Sequence, residues 1–288
     1  MAQAWRCTGL RWSGDGAVLV WEGGVRSALP RGKRVAFGVV TGGARTCVGA
    51  RGHACPVRAA VSGRSAGARC EECARLDRAH SVAADTFADD PRPYHVYLAW
   101  FGTGMVKVGI TAVERGPARL LEQGAVCFSW LGRGPLMAAR RAEELLRAAL
   151  KVPDRIPYAD KRAVRAALPG VGERGAEIAG VHARAVVLDG WPESLEREPF
   201  QVVDHGEAFG LEGLPPADGV VSELVAGGAV GGEVLAVAGP DLHLATERGV
   251  IVLDTRLMTG WELTAGDTGF SVPVREFREA TVQQDGLF

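Results

Sequence analysis

The sequence predicts an α+β fold made of three consecutive parts. Short runs rich in valine and aromatic residues, bounded by glycine turns, occur towards both ends and indicate strands. Four cysteines lie close together in the first third, and a strand–turn–strand pattern with two helices after it occupies the middle. Apolar residues form 47 % of the 288 residues, enough to bury a sizeable core. We expect an N-terminal β-rich segment over residues 1–90, a central α/β domain over residues 91–170 and an acidic β-rich module over residues 171–288.

The first part is predicted to be all β up to about residue 46. Residues 17–21 and 34–40 are short Val-rich and aromatic runs, and glycine-rich turns bound them. Cys7 stands alone near the start. For this residue we prefer a small buried side chain over a metal ligand.

A cluster of cysteines follows, and it predicts a structural zinc site. Its members are Cys47, Cys55, Cys70 and Cys73. The two-residue gap between Cys70 and Cys73 lets both thiolates bind one tetrahedral ion from a tight turn. The segment is rich in glycine and alanine, so a metal would supply stability that its small core lacks.

Two alternatives to four thiolates remain open for this segment. His53 could replace a cysteine as ligand, and His80 follows the cluster, but we interpret both as ordinary histidines. A redox pair at Cys70 and Cys73 is disfavoured because no βαβ unit surrounds it. Five flanking arginines are expected to present positive charge, namely Arg45, Arg51, Arg58, Arg64 and Arg69.

The central part begins after a predicted linker over residues 81–93, where two prolines disfavour helix and strand. Residues 94–101 and 105–111 are predicted to pair as a hairpin. A short helix from Arg119 is expected to end at Gly124, which can cap it, before a strand over residues 126–131. A longer helix over residues 138–150 carries Glu143 on the edge of its apolar stripe.

This order of elements resembles the GIY-YIG nuclease superfamily. Tyr97 lies where the first motif has its tyrosine, and Lys107, Val108 and Gly109 lie where the second motif would be. Members of that superfamily cut phosphodiesters with hairpin tyrosines, a helical arginine and a metal-binding glutamate. Val108 replaces the second tyrosine, although some branches carry a similar Lys-Ile-Gly variant.

The resemblance implies a magnesium or manganese ion at Glu143 and a set of four catalytic residues, namely Tyr97, Lys107, Arg119 and Glu143. Hydrolysis of nucleic acid and binding without cleavage both remain open. An enzyme that uses the same scaffold on a small molecule is a further alternative.

The details are similar to a narrower family, catalogued as domain of unknown function 2797. The similarity is weaker in the C-terminal half, around Gly231–Val234 and Gly260. It implies a fold and a metal, and no established activity. The residues that carry it are Cys47, Cys55, Pro56, Cys70 to Cys73, Val106 to Thr111 and Arg119 to Ala125.

The last part is predicted to start with helices and to continue as strands. Helices are expected over residues 159–168 and 173–183. The predicted strands cover residues 185–188, 219–221, 233–237 and 249–253. An interaction module and a plain β lid packed on the N-terminal strands are both consistent with this pattern.

The charge distribution favours a nucleic-acid partner, either DNA or RNA. Residues 1–170 contain 26 Lys or Arg against 14 Asp or Glu, and residues 171–288 contain 7 against 20. A basic part of this kind is typical of a surface that faces a polyanion. No apolar run reaches about 18 residues and the start lacks a signal-peptide pattern, so we expect a cytoplasmic protein without a membrane partner.

Overall fold

The computed structural model describes residues 3–14, 16–79, 90–266 and 269–277. Its helices, in chain order, are α1 (Glu71–Ala79), α2 (Ala118–Gln123), α3 (Leu136–Leu150), α4 (Tyr158–Val164), α5 (Val171–Val186) and α6 (Gly206–Phe209). Its strands are β1 (Trp5–Ser13), β2 (Gly16–Trp21), β3 (Arg26–Ala28), β4 (Arg34–Val39), β5 (Pro93–Trp100), β6 (Val106–Ala112), β7 (Cys127–Pro135), β8 (Glu196–Arg197), β9 (Val203–Asp204), β10 (Gly219–Val221), β11 (Ala229–Ala238), β12 (Asp241–Thr246), β13 (Gly249–Asp254), β14 (Glu262–Ala265) and β15 (Val274–Glu276).

The larger sheet joins strands from both ends of the chain. Its order is β15-β10-β13-β12-β11-β4-β14-β1-β2-β3. Strand β14 lies between β4 and β1, and β11 pairs with β4 in antiparallel register, with Gly232 opposite Val35. The C-terminal strands are therefore hydrogen-bonded into the N-terminal sheet. The division into three parts stays a prediction, but its first and third parts share this sheet.

The smaller sheet carries the predicted hairpin. Its order is β6-β5-β7-β8, and β9 also pairs with β7. Tyr97 lies opposite Gly109 in the antiparallel β5–β6 pair. Because side chains alternate along a strand, β5 presents two different faces. Val96 and Leu98 pack in the core with α3 and α5, whereas Tyr97 packs with Leu120 of α2.

The mixed α+β class is confirmed, and three local expectations are corrected or limited. Residues 185–188 were expected to be a strand, which is wrong because α5 continues through Val186. Ala185, Val181 and Ile178 bury one side of that helix at helical spacing. Cys73 lies in the first turn of α1, where a tight turn was expected. Of the predicted linker, residues 81–89 lie outside the described part of the chain.

Buried charges join α4 and the turn that follows it to the larger sheet. Arg162 lies 2.6 Å from a carboxylate oxygen of Asp241 and 2.7 Å from one of Asp254. Arg165 reaches the other oxygen of Asp241 at 2.5 Å. Close to this network, the end of α2 abuts the β11–β12 turn, where a Cβ on Gly239 would lie 2.9 Å from the Gly124 nitrogen. Two glycines thus allow the backbones to approach closely.

His243 lies on the same face of β12 as Asp241, and neither ring nitrogen has a hydrogen-bond partner among the described residues. Burial, together with the positive charges of Arg165 and Arg162, lowers the pKa of His243 to about 3. In the unfolded chain this histidine takes up a proton near pH 6.5, whereas in the folded protein it stays neutral at that pH. The free energy of unfolding therefore falls as the pH drops below about 6.5.

We expect this histidine alone to reduce the free energy of unfolding by about 2 kcal/mol between about pH 7 and about pH 5. The variant His243→Leu should lack that decrease. Chemical unfolding of both proteins across this pH range is the measurement, because losses from other groups are common to both and cancel. Parallel stability curves would contradict the assignment.

No helix in the described ranges is both long and apolar enough to cross a membrane.

Candidate functional site

The four predicted cysteine ligands come together in the structure. The sulfur atoms of Cys47, Cys55, Cys70 and Cys73 all lie within 4.8 Å of one another. Four sulfurs at about 2.3 Å from one zinc ion would be roughly 3.8 Å apart, so the cluster is close to that arrangement. The set could hold a metal such as zinc.

Backbone N–H groups donate hydrogen bonds to sulfur atoms of this cluster, although burial raises the pKa of Cys73 to about 12. The N–H groups of Gly49 and Cys70 donate to the Cys47 sulfur, at 3.3 Å and 3.2 Å. Hydrogen bonds from the Ala59 backbone lower the pKa of Cys55 to about 7, against the opposing effect of burial. Gly49 has φ +84°, and a Cβ there would lie 1.9 Å from the His53 carbonyl oxygen. Only glycine therefore fits this loop.

The sequence also led to predictions for two histidines, for Cys7 and for the flanking arginines. His53 is exposed and does not belong to the cluster, and His80 lies outside the described residues. Cys7 is fully buried in the main core, as predicted. The expectation that the flanking arginines present charge is wrong for Arg45, which is 2 % exposed. Its guanidinium donates to four backbone carbonyl groups, those of Ser62, Ser65, Arg256 and Thr259.

Arg45 thereby fastens the cysteine segment to the C-terminal sheet. The remaining arginines are partly paired: Arg64 binds Glu223, and Arg69 lies 3.3 Å from Asp77. The cysteine segment is thus anchored by one buried guanidinium and held internally by its thiols, since its own small core contains Cys47, Cys55 and Cys73.

Tyr97 and Lys107 lie on the hairpin and are both largely buried. Tyr97 is 1 % exposed, and its Oη accepts a hydrogen bond from Gln123 Nε2 at 3.0 Å. Burial raises the pKa of Tyr97, while the Gln123 hydrogen bond and Arg119 oppose that shift. A Cβ at Gly109 would lie 2.4 Å from Tyr97 Oη, so the glycine of the second motif makes room for the phenol.

Lys107 is 8 % exposed, and its Nζ donates to the Asp154 carbonyl oxygen at 3.1 Å. Burial and the nearby charge of Arg119 lower the pKa of Lys107 to about 8, against the opposing effect of Glu143. A lysine of this kind carries both protonation states near neutral pH, which is a property of proton-transfer groups.

Glu143 and Arg119 approach the hairpin from two helices. Glu143 on α3 is partly buried, and burial raises the pKa of its carboxyl group while Lys107 opposes that shift. The Arg119 side chain on α2 is 46 % exposed and lies 4.0 Å from Glu122. The charges of Arg119 and Glu143 therefore reach both Tyr97 and Lys107. No hydrogen bond or ion pair joins any two of them within the described ranges, and their catalytic roles stay predictions.

Two supporting residues were missed by the sequence reasoning. Gln123 orients Tyr97, and Lys161 Nζ donates to the Gln123 carbonyl oxygen at 3.0 Å. The Lys161 ammonium also lies 3.9 Å from the centre of the Phe101 ring. Burial lowers its pKa to about 7. Gln123 lies within the run from Arg119 to Ala125 that carries the family resemblance. Its place in that run is the sequence feature that could have identified it.

Comparisons with known proteins agree with one of the two predicted resemblances. The family model described as "Protein of unknown function (DUF2797)" matches residues 32–263, about four fifths of the chain. Neither the curated proteins nor the solved structures gave a match. The resemblance to the GIY-YIG superfamily stays a prediction. The family match spans the cysteine cluster, the hairpin and much of the larger sheet, and the chain belongs to the DUF2797 family.

Proposed function

We propose that this protein holds a structural zinc ion at its cysteine cluster and acts on nucleic acid, hydrolysing a phosphodiester at a GIY-YIG-like site. The observation that carries this proposal is the convergence of Tyr97, Lys107, Arg119 and Glu143. They come from β5, β6, α2 and α3 and share one electrostatic environment. Such a mixture of an acid, two cations and a phenol suits phosphoryl chemistry.

Each side chain has a distinct role in the proposed reaction. Arg119 is the most exposed of the four and neutralises charge that develops on the phosphate. Lys107, with its pKa of about 8, accepts a proton from the attacking water when it is neutral. Tyr97 accepts a hydrogen bond from Gln123, which leaves its own proton available as a donor.

Glu143 is the residue that would hold a magnesium or manganese ion. Its carboxylate is partly buried and has no ion-pair partner among the described residues, so a cation would compensate its desolvation. Carboxylate oxygen is also the ligand type that these ions prefer. When bound, the ion would polarise a phosphoryl oxygen.

The direct test compares two adjacent glutamates of α3. We expect Glu143→Gln to reduce magnesium- or manganese-dependent cleavage of labelled single-stranded DNA, duplex DNA or RNA by about 100-fold or more. Glu144→Gln is the matched control, because Glu144 is exposed and bonds Arg147 at 3.1 Å. It should change cleavage by less than about twofold. Equal cleavage by wild type and Glu143→Gln would refute the catalytic assignment.

A second candidate function is nucleic-acid binding without cleavage. Val108 occupies the place of the second tyrosine and is fully buried, which favours this alternative because the site then has one fewer proton-transfer group. It predicts affinity that falls steeply with salt, as counterion release requires, and no product in the cleavage assay. Salt-insensitive binding would count against it.

A further inference from the structure

An arginine-lined cleft lies where the cysteine segment, the central domain and the larger sheet meet. Its volume is about 290 Å³. The walls come from β1, from residues 66–69 of the cysteine segment, from α2 and from the residues that follow β13. Each of these walls contributes one arginine, and the four are Arg11, Arg69, Arg119 and Arg256.

The cleft is positively charged on balance. Glu122 is the acidic side chain in its lining, and its carboxylate already lies 2.6 Å from Arg115. Arg256 is paired with Asp254 and Arg69 with Asp77. Arg11 has no carboxylate partner within the described ranges, and its guanidinium donates a hydrogen bond to the neighbouring Leu10 carbonyl oxygen at 3.4 Å. Arg11 is therefore a guanidinium that an anionic ligand can engage.

The chemistry of the lining favours phosphate over a nucleobase. Tyr158 is the aromatic side chain in the lining, and its ring is already engaged by two cations. The Arg256 guanidinium lies 4.2 Å and the Lys161 ammonium 4.4 Å from the ring centre. Much of the remaining wall is small, with Gly67 and Gly239 among its residues, so an extended backbone can approach closely. Guanidinium groups recognise phosphate oxygens with paired hydrogen bonds.

We propose that this cleft binds the phosphodiester backbone of a nucleic acid, independently of sequence, and that the cysteine segment forms one of its walls. Four arginines from four separate segments suit several consecutive phosphates better than a single one. Tyr158 is the aromatic residue of the cleft as described, and its existing contacts with two cations argue against a mononucleotide held by stacking. The inference rests on the proposed function in one respect, since Arg119 belongs both to the cleft and to the candidate catalytic cluster.

The test measures binding separately from cleavage. A fluorescein-labelled single-stranded oligonucleotide is titrated with the zinc-loaded protein, without added magnesium, and followed by fluorescence anisotropy over a series of salt concentrations. We expect Arg11→Glu to weaken binding by about tenfold or more and to reduce the salt slope by about one.

Arg184→Glu is the matched control, because it makes the same change of charge at an exposed position. Arg184 belongs to α5, which packs on the face of the smaller sheet that is opposite to α2. This variant should change the affinity by no more than about twofold. Inorganic pyrophosphate, titrated alone against wild type and Arg11→Glu, separates a small phosphorylated ligand from a nucleic-acid backbone.

The outcomes distinguish the cleft from the catalytic proposal. Equal affinities of Arg11→Glu and Arg184→Glu would overturn the cleft assignment, even if cleavage depends on Glu143. Arg11-dependent binding without any cleavage would support the cleft and refute hydrolysis. Arg11-dependent binding of pyrophosphate with no binding of the oligonucleotide would overturn the assignment to a nucleic-acid backbone.

Discussion

Replacing Cys70 and Cys73 together by serine is expected to release about one zinc ion per chain and to unfold residues 47–73. Structural zinc contributes about 10–16 kcal/mol of apparent free energy in small zinc-finger peptides, because the site forms only on folding. The segment has little else to hold it, since the buried residues of its own core are cysteines. Metal analysis of the purified protein, followed by thermal unfolding, measures both effects.

The loss of stability should extend beyond residues 47–73. The buried guanidinium of Arg45 donates to the Ser62 and Ser65 carbonyl oxygens, which move away when the loop unfolds. A buried charge that loses its acceptors is costly, so we expect the Tm to fall by roughly 10 °C or more. Cys7→Ser is the matched control, because Cys7 is a buried cysteine that lies in the main core and not in the cluster. It should retain the zinc, and unchanged zinc content in the double variant would disprove the site.

The second large effect is expected at Asp241. Its two carboxylate oxygens bind Arg162 and Arg165, and all three side chains are buried. Removing one partner of a buried ion pair leaves uncompensated charge, which typically costs about 3–5 kcal/mol. Asp241→Ala should reduce the free energy of unfolding by that amount in urea titrations. Arg165 loses its carboxylate partner altogether, and Arg162 keeps only Asp254, so the upper end of the range is expected.

Glu223→Ala provides the comparison for Asp241→Ala. Glu223 pairs with Arg64, whose side chain is 77 % exposed, and exposed pairs contribute about 0–1 kcal/mol. Equal destabilisation by the two substitutions would mean that the buried network does not hold α4 against the larger sheet. Unlike Glu223→Ala, Asp241→Ala should also affect the candidate site. Helix α4 carries Lys161, whose Nζ donates to the carbonyl oxygen of Gln123 beside Tyr97.

Local sequence patterns were sufficient to predict several secondary-structure elements. The hairpin over β5 and β6 follows from two short apolar runs separated by a glycine turn. Gly124 was predicted to cap α2, and it does so with φ +70°. The misassigned strand at residues 185–188 has a simple cause. A short run rich in valine fits a strand and the last turn of a buried helix equally well, and packing against β7 decided between them.

The roles of single buried side chains could not be predicted in the same way. Arg45 was grouped with four other arginines, yet it alone is enclosed by carbonyl groups that lie up to 214 residues away in the chain. Lys161 and Gln123 show the same limitation, since their partners come from distant segments. Burial of a charge depends on which segments surround it, and no local pattern encodes that.

The α+β class, the hairpin and the four cysteines of the candidate metal site could be predicted from local patterns, because the spacing of residues and the position of turns are local properties. The neighbouring positions of β4 and β11, the pairing of Asp241 with both Arg162 and Arg165, and the four arginines of one cleft arise only in the folded chain. Strands of similar composition can pair in many ways, and the pairing that a chain adopts depends on contacts between segments that are distant in sequence.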